Sequence, residues 1–322
     1  TLLGFAISVL VCAAAPSDWL LIVARCAAGI FGGIIAPQLF TIIADVVPSA
    51  RRGTVLGALI SAHAAGALLG MPIVLFVAEY FRWTSVFAGC AVGLFVMALL
   101  VFYLVPELRG HLSYPDRPTV LKRWTNAIRE PLYRRMWLLT LTNFMGYFVV
   151  LTFLTPFLSK NLSMSINELV LIYASSGCVT FFTVRFVGRF CDRKGAISVY
   201  RAVALAGAVF SLLITLMPSD SALVLVGIAM MCFMALSHAR NVAAAVILAG
   251  VAKAQSRGTL IAMNLAVQQI AIGTSALLAA LLVGGGQKST VLHYERVGVA
   301  ALVCILLSRA IAKGCKRLGS TY

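Results

Sequence analysis

Asp45 to Phe87 reads DVVPSARRGTVLGALISAHAAGALLGMPIVLFVAEYFRWTSVF. It opens on a basic turn, Pro48-Ser49-Ala50-Arg51-Arg52-Gly53, and continues as an apolar run carrying Gly57, Gly66, Gly70 and Pro72 before Arg82-Trp83. A run of about 20 apolar residues is what a helix needs to cross hydrocarbon. Small residues at this density let helix backbones approach closely in lipid, where packing rather than burial drives association. The proline is tolerated because neighbouring helices re-satisfy the freed backbone groups. His63, Gly66 and Gly70 stand at i, i+3 and i+7, so they share one helix face. The stretch predicts a membrane helix with Gly66 and Gly70 in close contact with a neighbour.

The rest of the chain follows the same plan. Its 322 residues are 61% hydrophobic and 11% charged, with a mean hydropathy of +0.99, whereas soluble domains carry about 25% charged residues. Apolar runs predict ten membrane helices, roughly over 1–14, 19–44, 53–79, 84–105, 136–158, 166–187, 197–217, 221–248, 258–284 and 294–312. The cations behind the net charge of +16 cluster in alternate loops: Arg51-Arg52, the long loop 106–135, the cluster Arg185 to Lys194, Lys253 with Arg257, and the tail from Arg309, with Lys288 and Arg296 a mild exception. That alternation is the mark of cytoplasmic loops. It excludes nucleic acid as the partner and places the long loop and the C-terminus in the cytoplasm. The eight cysteines contain no Cys-x-x-Cys pair and lie mostly in apolar runs, so neither a disulfide framework nor a metal site is indicated.

An internal repeat divides the chain. Pro16-Ser17-Asp18 recurs as Pro218-Ser219-Asp220, and Arg52-Gly53-Thr54 as Arg257-Gly258-Thr259, in the same order and at nearly equal offset. Parallel repeats of this kind build the two halves of transporters. The expected organisation is an N-terminal bundle over 1–105, a cytoplasmic linker over 106–135 and a C-terminal bundle over 136–322. The second half has two helices and a basic loop with no counterpart after Thr1. The expectation is therefore an N-terminally truncated chain, with ten helices of a native twelve.

Around Gly57, Gly66, Gly70 and Pro72 the chain resembles the fifth-helix signature of the major facilitator superfamily, in its drug/proton antiporter and arabinose-efflux-like branches. The glycine spacing matches, and Met71 stands between the last glycine and the proline. Arg25 followed by Gly29 resembles the family's fourth-helix motif, with Ala28 where the family carries glutamine. Gly188, Asp192, Arg193 and Gly195 match its cytoplasmic loop Gly-x-x-x-Asp-Arg-x-Gly. The resemblance implies an all-α polytopic fold of two helical bundles. It also implies a cytoplasmic gate made by Asp45, Arg51, Arg52, Gly188, Asp192, Arg193 and Gly195.

Polar residues inside the apolar runs are the candidate substrate-cavity residues, because an intramembrane charge or amide is costly and by default functional. They are Arg25, His63, Asn143, Tyr147, His238, Arg240, Asn264 and Gln268. Thr140, Asn143 and Tyr147 form a stripe on one predicted helix, and Asn264, Gln268 and Ser275 another; such stripes line either a cavity or a helix–helix interface. All ten acidic residues fall at predicted helix ends or in loops. A protonatable group at mid-membrane must then be His63, His238 or a residue of the absent helices.

The expected function is secondary transport by alternating access, as proton-coupled efflux of a small organic molecule. The alternatives are an importer or facilitator of a sugar or metabolite, and a non-transporting sensor. No catalytic cluster points to an enzyme. No cofactor is expected beyond a proton gradient as driving force. The partners are the small-molecule substrate and the bilayer of a bacterial inner membrane, with the protein as a monomer.

Overall fold

Long apolar runs bounded by turn and capping residues become helices nearly everywhere. The computed structural model describes residues 1–47, 66, 69–70, 72–104, 120–251, 257–285 and 290–319. Its helices are α1 (Leu2–Ala14), α2 (Asp18–Val46), α3 (72–80), α4 (Trp83–Leu104), α5 (Val120–Arg129), α6 (Pro131–Lys160), α7 (Ile166–Lys194), α8 (Ala196–Thr215), α9 (Leu223–Val251), α10 (Arg257–Leu282) and α11 (Tyr294–Gly319). A two-stranded antiparallel ribbon, β1 (Gly284–Gly285) with β2 (Val291–Leu292), joins α10 to α11. Among the described residues, eight helices are long and apolar enough to cross a membrane. The fold is all-α and polytopic.

Helix starts are set locally. Ser17 Oγ accepts from the Leu20 N–H at 3.4 Å to cap α2. At α7, Ser165 Oγ accepts from the Glu168 N–H and Glu168 Oε2 accepts from the Ser165 N–H at 2.8 Å, a reciprocal capping box. Each satisfies N–H groups that a helix start leaves free.

The chain divides into two units, 1–66 with 73–118 and 67–72 with 119–322. In the first, α1 packs on α2 and α4, around Val9, Ala28 and Ala91. In the second, α9 packs on α7 and α8, while α11 packs on α6 and α8 and α10 on α6. The core there runs from Met136, Leu139 and Tyr200 through Ala204 and Ala243 to Ile305 and Ala312. Tyr294 donates to the Val150 carbonyl at 2.6 Å. Asn161 brackets Val291, donating to its carbonyl and accepting from its N–H, both at 2.9 Å. The ribbon is thereby pinned to the end of α6.

Several expected boundaries move. Helix α7 continues to Lys194, not 187, so Gly188, Asp192 and Arg193 are helical rather than members of a loop. Cations in a last helical turn complement the helix dipole, so the basic residues that mark a loop by composition extend the helix instead. Gly195 ends it at φ +81°, a left-handed conformation that glycine adopts without strain. The 106–135 stretch contains α5, whose Ala127 is buried with Tyr133 and Leu260, and α6 already starts at Pro131. Of the expected 53–79 helix, the described residues 66, 69–70 and 72–79 are helical and the rest lies outside the described residues.

A Cβ built at Gly66 or Gly70 meets nothing within 4 Å, so the close contact expected there is not formed among the described residues. The close approaches are elsewhere. A Cβ on Gly146 of α6 would lie 2.6 Å from Ile305 Cγ1 and 3.3 Å from the Ala301 carbonyl of α11. A Cβ on Gly298 of α11 would overlap Thr215 Oγ1 of α8.

Candidate functional site

The second unit gathers several of its polar residues into one layer, buried or half-buried. From α6 it takes Thr140, Asn143 and Tyr147, from α9 Ser237, His238, Arg240 and Asn241, from α10 Asn264, from α8 Tyr200 and from α11 Ser308. Asn143 is fully buried, with Thr140 and Tyr147 nearly so. Their 3–4 residue spacing puts all three on the interior face of α6.

Hydrogen bonds tie the layer across helices. Thr140 Oγ1 donates to Asn264 Oδ1 at 2.7 Å, linking α6 to α10. Asn143 Nδ2 donates to Asn241 Oδ1 at 2.6 Å, linking α6 to α9. The Tyr200 hydroxyl lies 2.8 Å from Ser308 Oγ and 3.2 Å from Asn143 Oδ1. Ser308 donates its own proton to the Ile305 carbonyl, so both neighbours compete for the single tyrosine proton. Asn241, Asn143, Tyr200 and Ser308 thus chain four helices together. Tyr200→Phe is expected to cost about 1 kcal/mol, the worth of one neutral bond, and Asn143→Ala about 1–3 kcal/mol because it strands Asn241 as well. Melting of the purified variants measures both; equal losses would show that stranding Asn241 carries no added cost.

Next to this chain, the Tyr147 hydroxyl is 3.2 Å from Met234 Sδ and 3.5 Å from His238 Nε2, and its ring meets the imidazole edge-on at 5.6 Å. His238 is half-buried. It is the titratable group of the layer whose ordinary range lies nearest neutrality.

Arg240 is the exceptional member. Its side chain is 0% exposed, and among the described residues its NH2 donates to Ser237 Oγ at 3.3 Å. Nε and NH1 have no acceptor among the described residues. Tyr200 and Tyr147 are within electrostatic range of the guanidinium, and Gly207 of α8 faces Nε, where a Cβ would sit 3.5 Å away. Among the described residues no aspartate or glutamate is buried. A guanidinium held this way is a standing demand for an anion or a strong acceptor.

The remaining candidates are placed separately. Gln268 is half-buried on α10, one turn beyond Asn264. Arg25 belongs to the first unit, is exposed, and stands 5.7 Å above the Phe87 ring. That contact accounts for part of its environment without an acid. Pro72 lies in the helical residues 72–80. Gly57, His63, Arg51 and Arg52 lie outside the described residues, as does the side chain of Asp45, whose backbone is in α2. Asp192 and Arg193 occupy the last turn of α7 beside Gly195.

Sequence reasoning missed Tyr200 and Ser308. A tyrosine near a helix end and a lone serine in an apolar run both have bland explanations, since a serine in a helix commonly bonds its own preceding turn. The 4-residue spacing of Tyr200, Ala204 and Ala208 was the one available signal, because it marks an interior face of α8.

The chain is similar in sequence and in fold to known proteins. The sequence profile of the Major Facilitator Superfamily matches residues 1–276. A vacuolar membrane amino acid uptake transporter of Schizosaccharomyces pombe, fnx2, is 32% identical over 115 residues, 35% of this chain and 20% of that protein. The chain thus spans one fifth of the length of that relative. The crystal structure of the human organic anion transporter MFSD10 superposes with a TM-score of 0.71 at 16% identity, covering 97% of this chain and 75% of that one. A D-xylose–proton symporter superposes at 0.74 and 16%, covering 95% and 79%. At such identities the likeness is one of fold.

Proposed function

This chain belongs to the Major Facilitator Superfamily, and we propose that it works as a secondary active transporter of a small polar or anionic organic molecule. Transport runs by alternating access and is coupled to proton movement, in the direction of efflux. The observation that carries the substrate class is Arg240, buried with two N–H groups lacking acceptors and, among the described residues, no buried acid to neutralise it. A carboxylate or other acceptor on the substrate completes that group, whereas a cation is repelled by it. The substrates for which similar proteins are named, amino acids, organic anions and xylose, all offer such acceptors. His238 beside Tyr147 supports proton coupling, since the layer contains no carboxylate and this imidazole is its accessible titratable group.

The test is movement of amino acids, sugars and organic anions in proteoliposomes under an imposed pH gradient. Gradient-driven flux of a polar or anionic member is the expected result. Flux of hydrophobic cations alone would overturn the substrate class, and flux indifferent to the gradient would overturn the coupling.

Orientation follows from the cation distribution: the C-terminus and the 106–135 segment lie in the cytoplasm. Single cysteines replacing Ser113 or Ser320, introduced with the native cysteines removed, should resist an impermeant thiol reagent applied to intact cells. Labelling of either one reverses the orientation.

A further inference from the structure

One end of the second unit carries an unneutralised pair of arginines that the transport reading does not use. Arg201 lies in the second turn of α8 and Arg309 in the C-terminal half of α11, two helices that pack on each other. Arg309 Nε donates to the Arg201 backbone carbonyl at 3.1 Å, so its guanidinium is drawn across to α8. Arg201 Nε is itself buried and has no acceptor among the described residues. No described acid pairs with either one. Each arginine lies five residues inside the apolar span of its helix, counted from Ala196 for Arg201 and from Gly314 for Arg309. At the helical rise, that depth is roughly 7–8 Å below the span's end. Two cations at this depth without an anion are costly.

The surroundings say which anion. Beyond Arg201, Leu205 and Val209 stand one and two turns on and are 48% and 50% exposed. Ahead of Arg309, Leu306, Val303 and Val299 lie on the exposed side of α11. Lys313, one turn past Arg309, is exposed, and Arg135 NH1 donates to the Gly314 carbonyl at 3.2 Å, adding two cations at the same end. A free phosphate has no use for the apolar faces; a phosphate attached to acyl chains fits both.

We propose that Arg201 and Arg309 form a binding site for the phosphate of an anionic phospholipid, whose acyl chains run along the exposed faces of α8 and α11. The site rests on the membrane reading and not on the substrate of Arg240, so either can fail alone. Lys313 and Arg135 hold the outer rim of the headgroup. Guanidinium forks suit the phosphate bidentately, which selects anionic lipids over zwitterionic ones.

Delipidated full-length chain, titrated with phosphatidylglycerol, phosphatidylcholine or glycerol phosphate, tests this by native mass spectrometry and melting. Phosphatidylglycerol should be retained and raise the melting temperature, with phosphatidylcholine and glycerol phosphate doing neither. In Arg201→Gln with Arg309→Gln the retained phosphatidylglycerol should fall roughly tenfold or more, and Arg201→Lys with Arg309→Lys should retain part of it. Equal retention of phosphatidylcholine by the unaltered protein overturns the proposal, as does an equal response to glycerol phosphate. Undiminished phosphatidylglycerol in the Gln pair overturns it too. The lipid comparison on the unaltered chain decides the matter even where the Gln pair does not fold.

Discussion

Arg240→Met should leave the protein folded in the membrane, melting at the same or a higher temperature, while transport falls by about ten- to a hundredfold. The two halves of this expectation come from one observation. The guanidinium is fully buried with Nε and NH1 unsatisfied, so the folded state carries the desolvation of a charge that nothing in the described structure offsets. Replacing buried ionic groups by apolar side chains of similar volume is often neutral or stabilising by about 1–4 kcal/mol. A charged hydrogen bond to a substrate acceptor is worth about 1.5–3 kcal/mol, which converts to the stated loss of transport. Arg240→Lys should recover transport only in part, because an ammonium cannot present the planar fork.

A purely structural arginine behaves in the opposite way: its loss lowers the melting temperature and affects flux only through the amount of folded protein. Melting in detergent and flux in proteoliposomes at matched protein content separate the cases. A Met variant that melts well below the parent, or one with full flux, returns Arg240 to a packing role and removes the basis for an anionic or polar substrate.

Arg240 is legible in the sequence because a charge inside an apolar run stands out. Asn143, Tyr147, His238 and Asn264 are legible for the same reason, and the fold gathers them with Arg240 into one layer. What the sequence does not show is which polar side chain satisfies which. Asn143 is committed to Asn241 and Tyr200, and Thr140 to Asn264, so these act as fastenings between helices, while Arg240 keeps unpaired donors. Pairing depends on helix rotation and offset, and both are decided by packing rather than by spacing along one chain. Helix ends are misread for an electrostatic reason: Arg193 and Lys194 look like a loop by composition yet stabilise the last turn of α7. The β1–β2 ribbon is invisible in the sequence, since two residues per strand carry no periodicity to detect.

Glycine density alone does not say which helix a glycine meets. Gly66 and Gly70 share a helix face, but closeness belongs to a pair of helices, and a Cβ on either meets no described atom. At Gly146 the partner is present: Ile305 Cγ1 would be 2.6 Å from a Cβ and the Ala301 carbonyl 3.3 Å. Gly146→Leu should therefore abolish folding of the second unit, and Gly146→Ala should destabilise it by about 1–3 kcal/mol, the usual cost of overpacking. Ile305 is fully buried, so Ile305→Ala alone also destabilises, through the cavity it leaves. Combined, the two changes should cost less than their sum, because the cavity from one receives the methyl of the other and contacting residues couple by about 0.5–3 kcal/mol. Thermal unfolding of both single variants and the pair in one detergent closes the cycle. Strict additivity would mean that α6 and α11 do not meet at Gly146 and Ile305, and the packing of the second unit would have to be redrawn from that contact outward.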